Sequence, residues 1–263
     1  MTATLLEPTD PPPVTVINGN GASPFVLTCD HAGRVVPERL GDLGLSAAEM
    51  DRHIAYDLGA AALARRLSQR LDAPLVAQSY SRLVIDCNRN PDVAASIVGA
   101  SDGTRIPANQ GVSDADRGHR RAEIHAPYHA AITALLDTRA AAARPAILFS
   151  VHSCTPVMNG FARPWHAGLL YNRDPRFSHV LMPLLAAAAA DLNFAFNQPY
   201  TVNDEEDYTI PIHGEARGLV HGLVEIRNDQ LADETGVERW AELLAETMGK
   251  AATEFLGELE ERS

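Results

Sequence analysis

Three short apolar runs in this chain each close on a group able to bind a metal or move a proton, and that recurrence limits the folds open to it. They are Phe25-Val26-Leu27-Thr28-Cys29-Asp30-His31, Ala146-Ile147-Leu148-Phe149-Ser150-Val151-His152-Ser153-Cys154 and Leu219-Val220-His221-Gly222-Leu223-Val224-Glu225. Each has the length and the branched, apolar make-up of a buried strand. Strands of an open α/β sheet bring their carboxyl ends to one edge, where ligands bind. Two imidazoles and a carboxylate at three such ends predict a single site, built from His31, His152 and Glu225 around one metal ion.

Helical patterns lie between the runs. Ser46 with Glu49 three positions on is a capping box, and a periodic stretch over 60–71 continues the helical reading. Further helices are predicted over 122–143, over the Ala-rich 180–192, and over 236–259, where Trp240, Leu243, Leu244 and Met248 share an inner face. Strands are expected at 24–29, 74–77, 81–87 and 167–171, with Asn88-Arg89-Asn90-Pro91 as a turn, 94–118 as a long loop and 203–207 as an acidic loop. The alternation implies an α/β fold with a mostly parallel, helix-covered sheet. Residues 1–23, rich in Pro and Thr, read as a partly ordered arm, and 24–263 as a single domain.

Charge narrows the partners. With a net charge of -12 and no basic cluster, nucleic acid is not expected. Three scattered cysteines, Cys29, Cys87 and Cys154, fit neither a disulfide framework nor a cysteine-rich zinc site. No leader pattern opens the sequence and no apolar run reaches membrane-spanning length, so a cytoplasmic protein with no membrane partner is expected.

Zinc suits imidazole and carboxylate ligands, and a catalytic zinc takes three protein ligands and a water. Beyond His31 and His152, the third ligand could be Asp57, Glu38 or Glu225. His125 and His129 share a helix face at a spacing of four, but no Glu follows His125 as a His-Glu-x-x-His motif requires, which makes the pair structural or substrate-facing. Arg82, Asn88 and Arg89 form a second constellation, with Arg163 and Arg227 as further cations. Guanidinium groups pair bidentately with carboxylates, so arginines in an acidic protein point to a small anionic substrate. A structural pairing of Arg82 with Asp86 is the competing reading.

The ordered set His31-Ala32-Gly33, Tyr56-Asp57-Leu58-Gly59, Tyr80-Ser81-Arg82 through Asn88-Arg89, Pro127-Tyr128-His129, Val151-His152-Ser153, Arg163-Pro164-Trp165-His166 and Val224-Glu225-Ile226-Arg227-Asn228-Asp229 resembles the N-formylglutamate amidohydrolase family. The resemblance runs from about Pro24 through nearly the whole chain. It implies a three-layer α/β/α sandwich of the phosphorylase/hydrolase-like kind and hydrolysis of an N-acyl, in the family's type case N-formyl, amino acid such as N-formyl-L-glutamate. Carried over by position, it gives one zinc per chain on His31, Asp57 and His152, with Asp57 preferred to Glu38 because the Tyr-Asp-Leu-Gly piece matches. Glu225 would activate the attacking water and Arg82 would hold the substrate carboxylate or polarise the carbonyl. Asn88, Arg89, Arg163, His129 and His213 would face substrate. One departure stands out: zinc carboxypeptidase-like relatives place a Glu three residues after the first His, where this chain has Arg34.

Two other classes compete. A serine or cysteine hydrolase could use Ser153 or Cys154 beside His152, though neither lies in a Gly-x-Ser-x-Gly elbow. A metal-dependent sensor or binding protein would keep the fold without turnover.

Overall fold

The apolar runs form the middle of the sheet, because a strand without a polar face must be covered on both sides. The computed structural model describes residues 4–261. In chain order the strands are β1 (Val14–Ile17), β2 (Phe25–Cys29), β3 (Leu75–Gln78), β4 (Ala100–Ser101), β5 (Thr104–Arg105), β6 (Ile147–Cys154), β7 (Val157–Met158), β8 (Phe161–Ala162), β9 (Ala167–Leu170), β10 (Phe194–Phe196) and β11 (Val220–Arg227). Seven of them make one sheet in the order β1-β3-β2-β6-β11-β9-β10, while β4-β5 and β7-β8 are small hairpins. The central strands β3, β2, β6 and β11 run parallel, and β1 and β9 pair antiparallel with β3 and β11. Every residue of β2 and β6 is buried.

Helices α1 (Ala47–Met50), α2 (Ala60–Leu71), α3 (Asp114–Arg120), α4 (Ala126–Ala141), α5 (Arg176–Ala188) and α6 (Glu234–Glu261) complete the chain. α2, α5 and α6 pack on one face of the sheet, with Leu63, Leu67, Trp240, Leu244 and Met248 in that core. α4 covers the other face together with buried loop residues such as Leu83 and Val84. Helices on both faces of a mostly parallel sheet make the expected three-layer sandwich. Among the described residues no helix is long and apolar enough to cross a membrane.

Several expectations are corrected. The Ser46–Glu49 capping box is present, but α1 is a single turn, and turns over 51–59 separate it from α2. The long helix before β6 begins at Asp114, capped by the Ser113 hydroxyl, and reaches α4 through a π-turn at Arg121–His125. β1 lies inside the stretch read as an arm, and β10 was not anticipated.

No strand forms over 81–87. Leu83, Val84 and Ile85 are all buried, which a strand with one wet face cannot provide, and the backbone turns with Val84 N donating to Ser81 O at 2.9 Å. The Ser81 hydroxyl fixes this turn by donating to Ala55 O at 2.7 Å and accepting from Leu83 N at 3.2 Å. In a strand, residues four apart stand about 13 Å from each other. Here the turn brings Arg82 onto Asp86 at 2.6 Å.

Candidate metal centre and active site

The site sits where β2, β6 and β11 end. β6 and β11 pair in parallel with Glu225 opposite His152, so both side chains stand on the same face, one strand spacing apart. His31 lies two residues past the end of β2, which neighbours β6 on its other side. Asp57 arrives from the turn before α2, held to the sheet by its own N–H donating to His31 O at 3.0 Å. Two glycines permit this closeness. A side chain at Gly33 would collide with the Ser79 backbone, and Gly59, at φ 80°, opens α2 where a Cβ would strike Leu231.

His31, Asp57 and His152 are all buried, and one ligand atom from each lies within 4.8 Å of the others. The Asp57 carboxylate stands 2.9 Å from His152 Nδ1 and 3.4 Å from His31 Nδ1. A second carboxylate backs each imidazole: His31 Nε2 is 2.7 Å from Asp86 Oδ1, and His152 Nε2 is 2.9 Å from Asp30 Oδ2. If the Nε2 atoms carry the hydrogens, they donate to Asp86 and Asp30, and both Nδ1 lone pairs point at Asp57. Two lone pairs facing one carboxylate need a positive charge between them. His31 Nδ1 is buried with no hydrogen-bond partner. These residues fit a metal ion, with Asp86 and Asp30 orienting the ligand imidazoles.

The electrostatics agree. Burial opposes a charge on His152, but its bonds to Asp30 and Asp57 outweigh that and raise its proton affinity well above the ordinary value. Burial likewise opposes ionisation of Asp57, yet His31 and His152 hold the carboxyl far below its usual range. For Asp86, burial is outweighed by Arg82 and His31. The carboxylates thus favour positive charge at this cluster, carried by protons on the imidazoles or by a metal ion. Asp30 is tied further by the Tyr128 and Thr209 hydroxyls, at 2.9 and 2.6 Å.

Glu225 is different. Its Oε2 is buried and has no hydrogen-bond partner, and burial pushes its pKa up from 4.5 to about 7 against the pull of His152. A carboxylate poised near neutrality is suited to taking and returning protons. It borders a cavity of about 290 Å³ together with His31, His152, Arg82, Asn88 and Arg89. Arg82 donates from Nε and Nη2 to Asp86, and Arg89 is paired with Asp207. Asn88 accepts from Thr209 N through Oδ1 at 3.2 Å, which sets its amide nitrogen on the other arm.

The other expected residues fall outside this cavity. His129 Nε2 is 2.8 Å from Cys87 O and its Nδ1 is 2.9 Å from His213 Nε2, so these two buried rings bond to each other and do not line the pocket. Arg163 donates to Thr155 O and to Tyr200 OH, with its guanidinium over the Tyr200 ring at 4.8 Å. Glu38 is exposed and accepts from the Thr9 hydroxyl; Asp57 stands with the two histidines instead. Ser153 Oγ donates to Leu58 O at 2.7 Å, and burial pushes the Cys154 thiol up to about 12, so neither side chain is prepared as a nucleophile. Sequence reasoning missed Asp30, His53 and Tyr200. Asp30 carried a signal, an acid directly beside His31 at the end of a wholly apolar strand. His53 and Tyr200 reach the cavity from separate loops and carried none.

Residues 23–232 match the family model of the N-formylglutamate amidohydrolases. A crystal structure of a gene product of Agrobacterium tumefaciens is similar at 34% identity and a TM-score of 0.91, covering 95% of this chain and 99% of that one. The crystal structure of N-formylglutamate amidohydrolase from Ralstonia eutropha JMP134 is similar in fold, with a TM-score of 0.65 at 20% identity over 93% of this chain and 99% of that one. None of the curated proteins compared by sequence matches.

Proposed function

The chain belongs to the N-formylglutamate amidohydrolase family, and from that premise we propose that it is a metal-dependent hydrolase of N-formyl amino acids, releasing formate and the free amino acid. The observation that carries this reading is Glu225, which has a buried, unpartnered carboxylate oxygen and borders the same small cavity as His31 and His152, the two imidazoles that stand with Asp57 in a cluster suited to a cation. An unpartnered acid near neutrality beside a candidate cation site favours a hydrolase over a binding protein, since proton transfer uses such a group.

In this reading His31, Asp57 and His152 hold one zinc ion. When bound, a divalent cation supplies Lewis-acid polarisation of the scissile carbonyl and of water. Glu225 takes the proton from the attacking water and returns it to the departing amine nitrogen. Arg82, Arg89 and Asn88 hold the substrate carboxylate, which fixes the scissile bond beside Glu225. Asp86 serves twice, orienting His31 and Arg82 at once. Since the site draws on segments from β2 to β11, residues 24–263 act as one catalytic unit. Three buried, free cysteines suit a reducing cytoplasm.

Metal analysis joined to an assay of N-formyl amino acid hydrolysis tests this. The purified protein should carry about one divalent ion per chain, lose activity to a chelator and regain it with zinc. His31→Ala and His152→Ala should lose both ion and activity. Full metal retention in both variants would remove this centre from the account.

A further inference from the structure

The charges around the cavity decide what amino acid it can take. Resting on the reading of the site as an N-formyl amino acid hydrolase, we propose that its preferred substrate carries one carboxylate only and an uncharged, largely apolar side chain, and that a glutamate side chain is disfavoured.

Two guanidinium groups border the cavity, Arg82 and Arg89, against four acids, Asp86, Glu206, Asp207 and Glu225. Both arginines are already engaged. Arg82 gives two of its nitrogens to Asp86 and turns Nη1 toward Asp57 at 3.5 Å, while Arg89 is paired with Asp207. Arg163 keeps its charge, its partners Tyr200 OH and Thr155 O being neutral, but it is not among the residues that border the cavity. His53 adds no charge, because burial, with Arg52 and Arg82 nearby, keeps its imidazole below the ordinary value despite Asp102. A divalent ion on His31, Asp57 and His152 has one of its two charges cancelled by Asp57 itself. The wall therefore holds no surplus of positive charge.

The N–H groups that Arg82 and Arg89 retain, with the Asn88 amide, can receive one carboxylate. A second would meet Glu206 and Asp207 and find no guanidinium on the cavity wall that is not already paired with an acid, and unpaired charge in a part-buried site is costly. Most of the rest of the wall is apolar, with Ile54, Val98, Met158, Leu170 and Leu223 among its residues, interrupted by the neutral polar groups of Ser101, Tyr200 and Thr201. Of these Ile54, Leu170 and Leu223 are almost wholly buried, at 2% exposure each, so they form a fixed surface for an apolar side chain. Selectivity then comes from repulsion of the wrong side chain as much as from attraction of the right one.

The test compares N-formyl-methionine, N-formyl-glutamine and N-formyl-glutamate on the metal-loaded protein, because the last two share a shape and differ by one charge. The expected order in kcat/KM is methionine, then glutamine within about tenfold, then glutamate at least roughly thirtyfold below glutamine, the scale of an unpaired charge at a contact. Glu206→Gln, at an exposed position on the rim, should narrow the glutamine-to-glutamate gap about threefold. Glutamate equal to or better than glutamine, or a gap that Glu206→Gln leaves unchanged, overturns the proposal. If no N-formyl amino acid is cleaved, the hydrolase reading falls by itself. The side-chain preference is then read from calorimetric binding of the same three compounds to the metal-loaded protein. Tighter binding of methionine than of glutamate supports the preference, and the reverse order or no binding refutes it.

Discussion

Replacing Glu225 with Gln separates its cost to the fold from its value to catalysis. In the metal-free protein its pKa rises from 4.5 to about 7 through burial. A carboxyl that is easier to protonate in the folded state contributes stability that is fully present below pH 4.5 and is lost as pH climbs to about 7. Above that window the ionised group costs the fold on the order of 3 kcal/mol, each tenfold change in proton affinity being worth about 1.4 kcal/mol. The Gln amide is also poorly satisfied there, so the net gain expected for Glu225→Gln at pH 8 is about 1–3 kcal/mol, or several degrees in melting temperature. At pH 4.5 the gain should vanish. The same variant should retain its metal and lose about 10²-fold or more in kcat/KM, as loss of a general base does. Chelated wild type and variant would be melted at both pH values, and loaded protein assayed for turnover and metal content. A variant less stable than wild type at pH 8 would mean that Glu225 is satisfied in the fold, and the argument for a poised base would fail.

Two further outcomes follow from the partners of the metal site. Asp86→Asn removes the acceptor that orients His31 and should weaken metal affinity by roughly 10–100-fold in a chelator competition, with unchanged affinity refuting the orienting role. Ser153→Ala and Cys154→Ala should each keep kcat within about twofold of wild type, because one hydroxyl is spent on Leu58 and the thiol stays protonated; a loss of 10³-fold in either would restore a covalent route.

The parts of this site that could be read from the chain are those encoded within one short segment. A wholly apolar run followed by His, or ending in Glu, specifies both a buried strand and what its end presents, so His31, His152 and Glu225 fall into place once the strands align. Asp57 lies in a loop and no periodicity points to it; the family resemblance singled it out, and its amide's bond to His31 O is what brings it to the histidines. The stretch over 81–87 was misread because Ser-Arg-Leu-Val-Ile-Asp has the β-branched content of a strand, while its conformation is set by Ser81 bonding to Ala55, a partner distant in sequence.

That misreading has a chemical consequence. As a strand, the segment would present Arg82 alone, and a free guanidinium reads as a receptor for an anion. As a turn, it presents Arg82 already joined to Asp86, and Asp86 joined to His31, so the arginine is partly a member of the metal site's support. Loss of Arg82 would accordingly disturb Asp86 and His31 as well as any bound carboxylate. The pairing of Arg82 with Asp86, the competing reading of the sequence, is the one the fold adopts, and with Arg89 held by Asp207 it limits how much anionic charge a count of arginines can imply for the substrate.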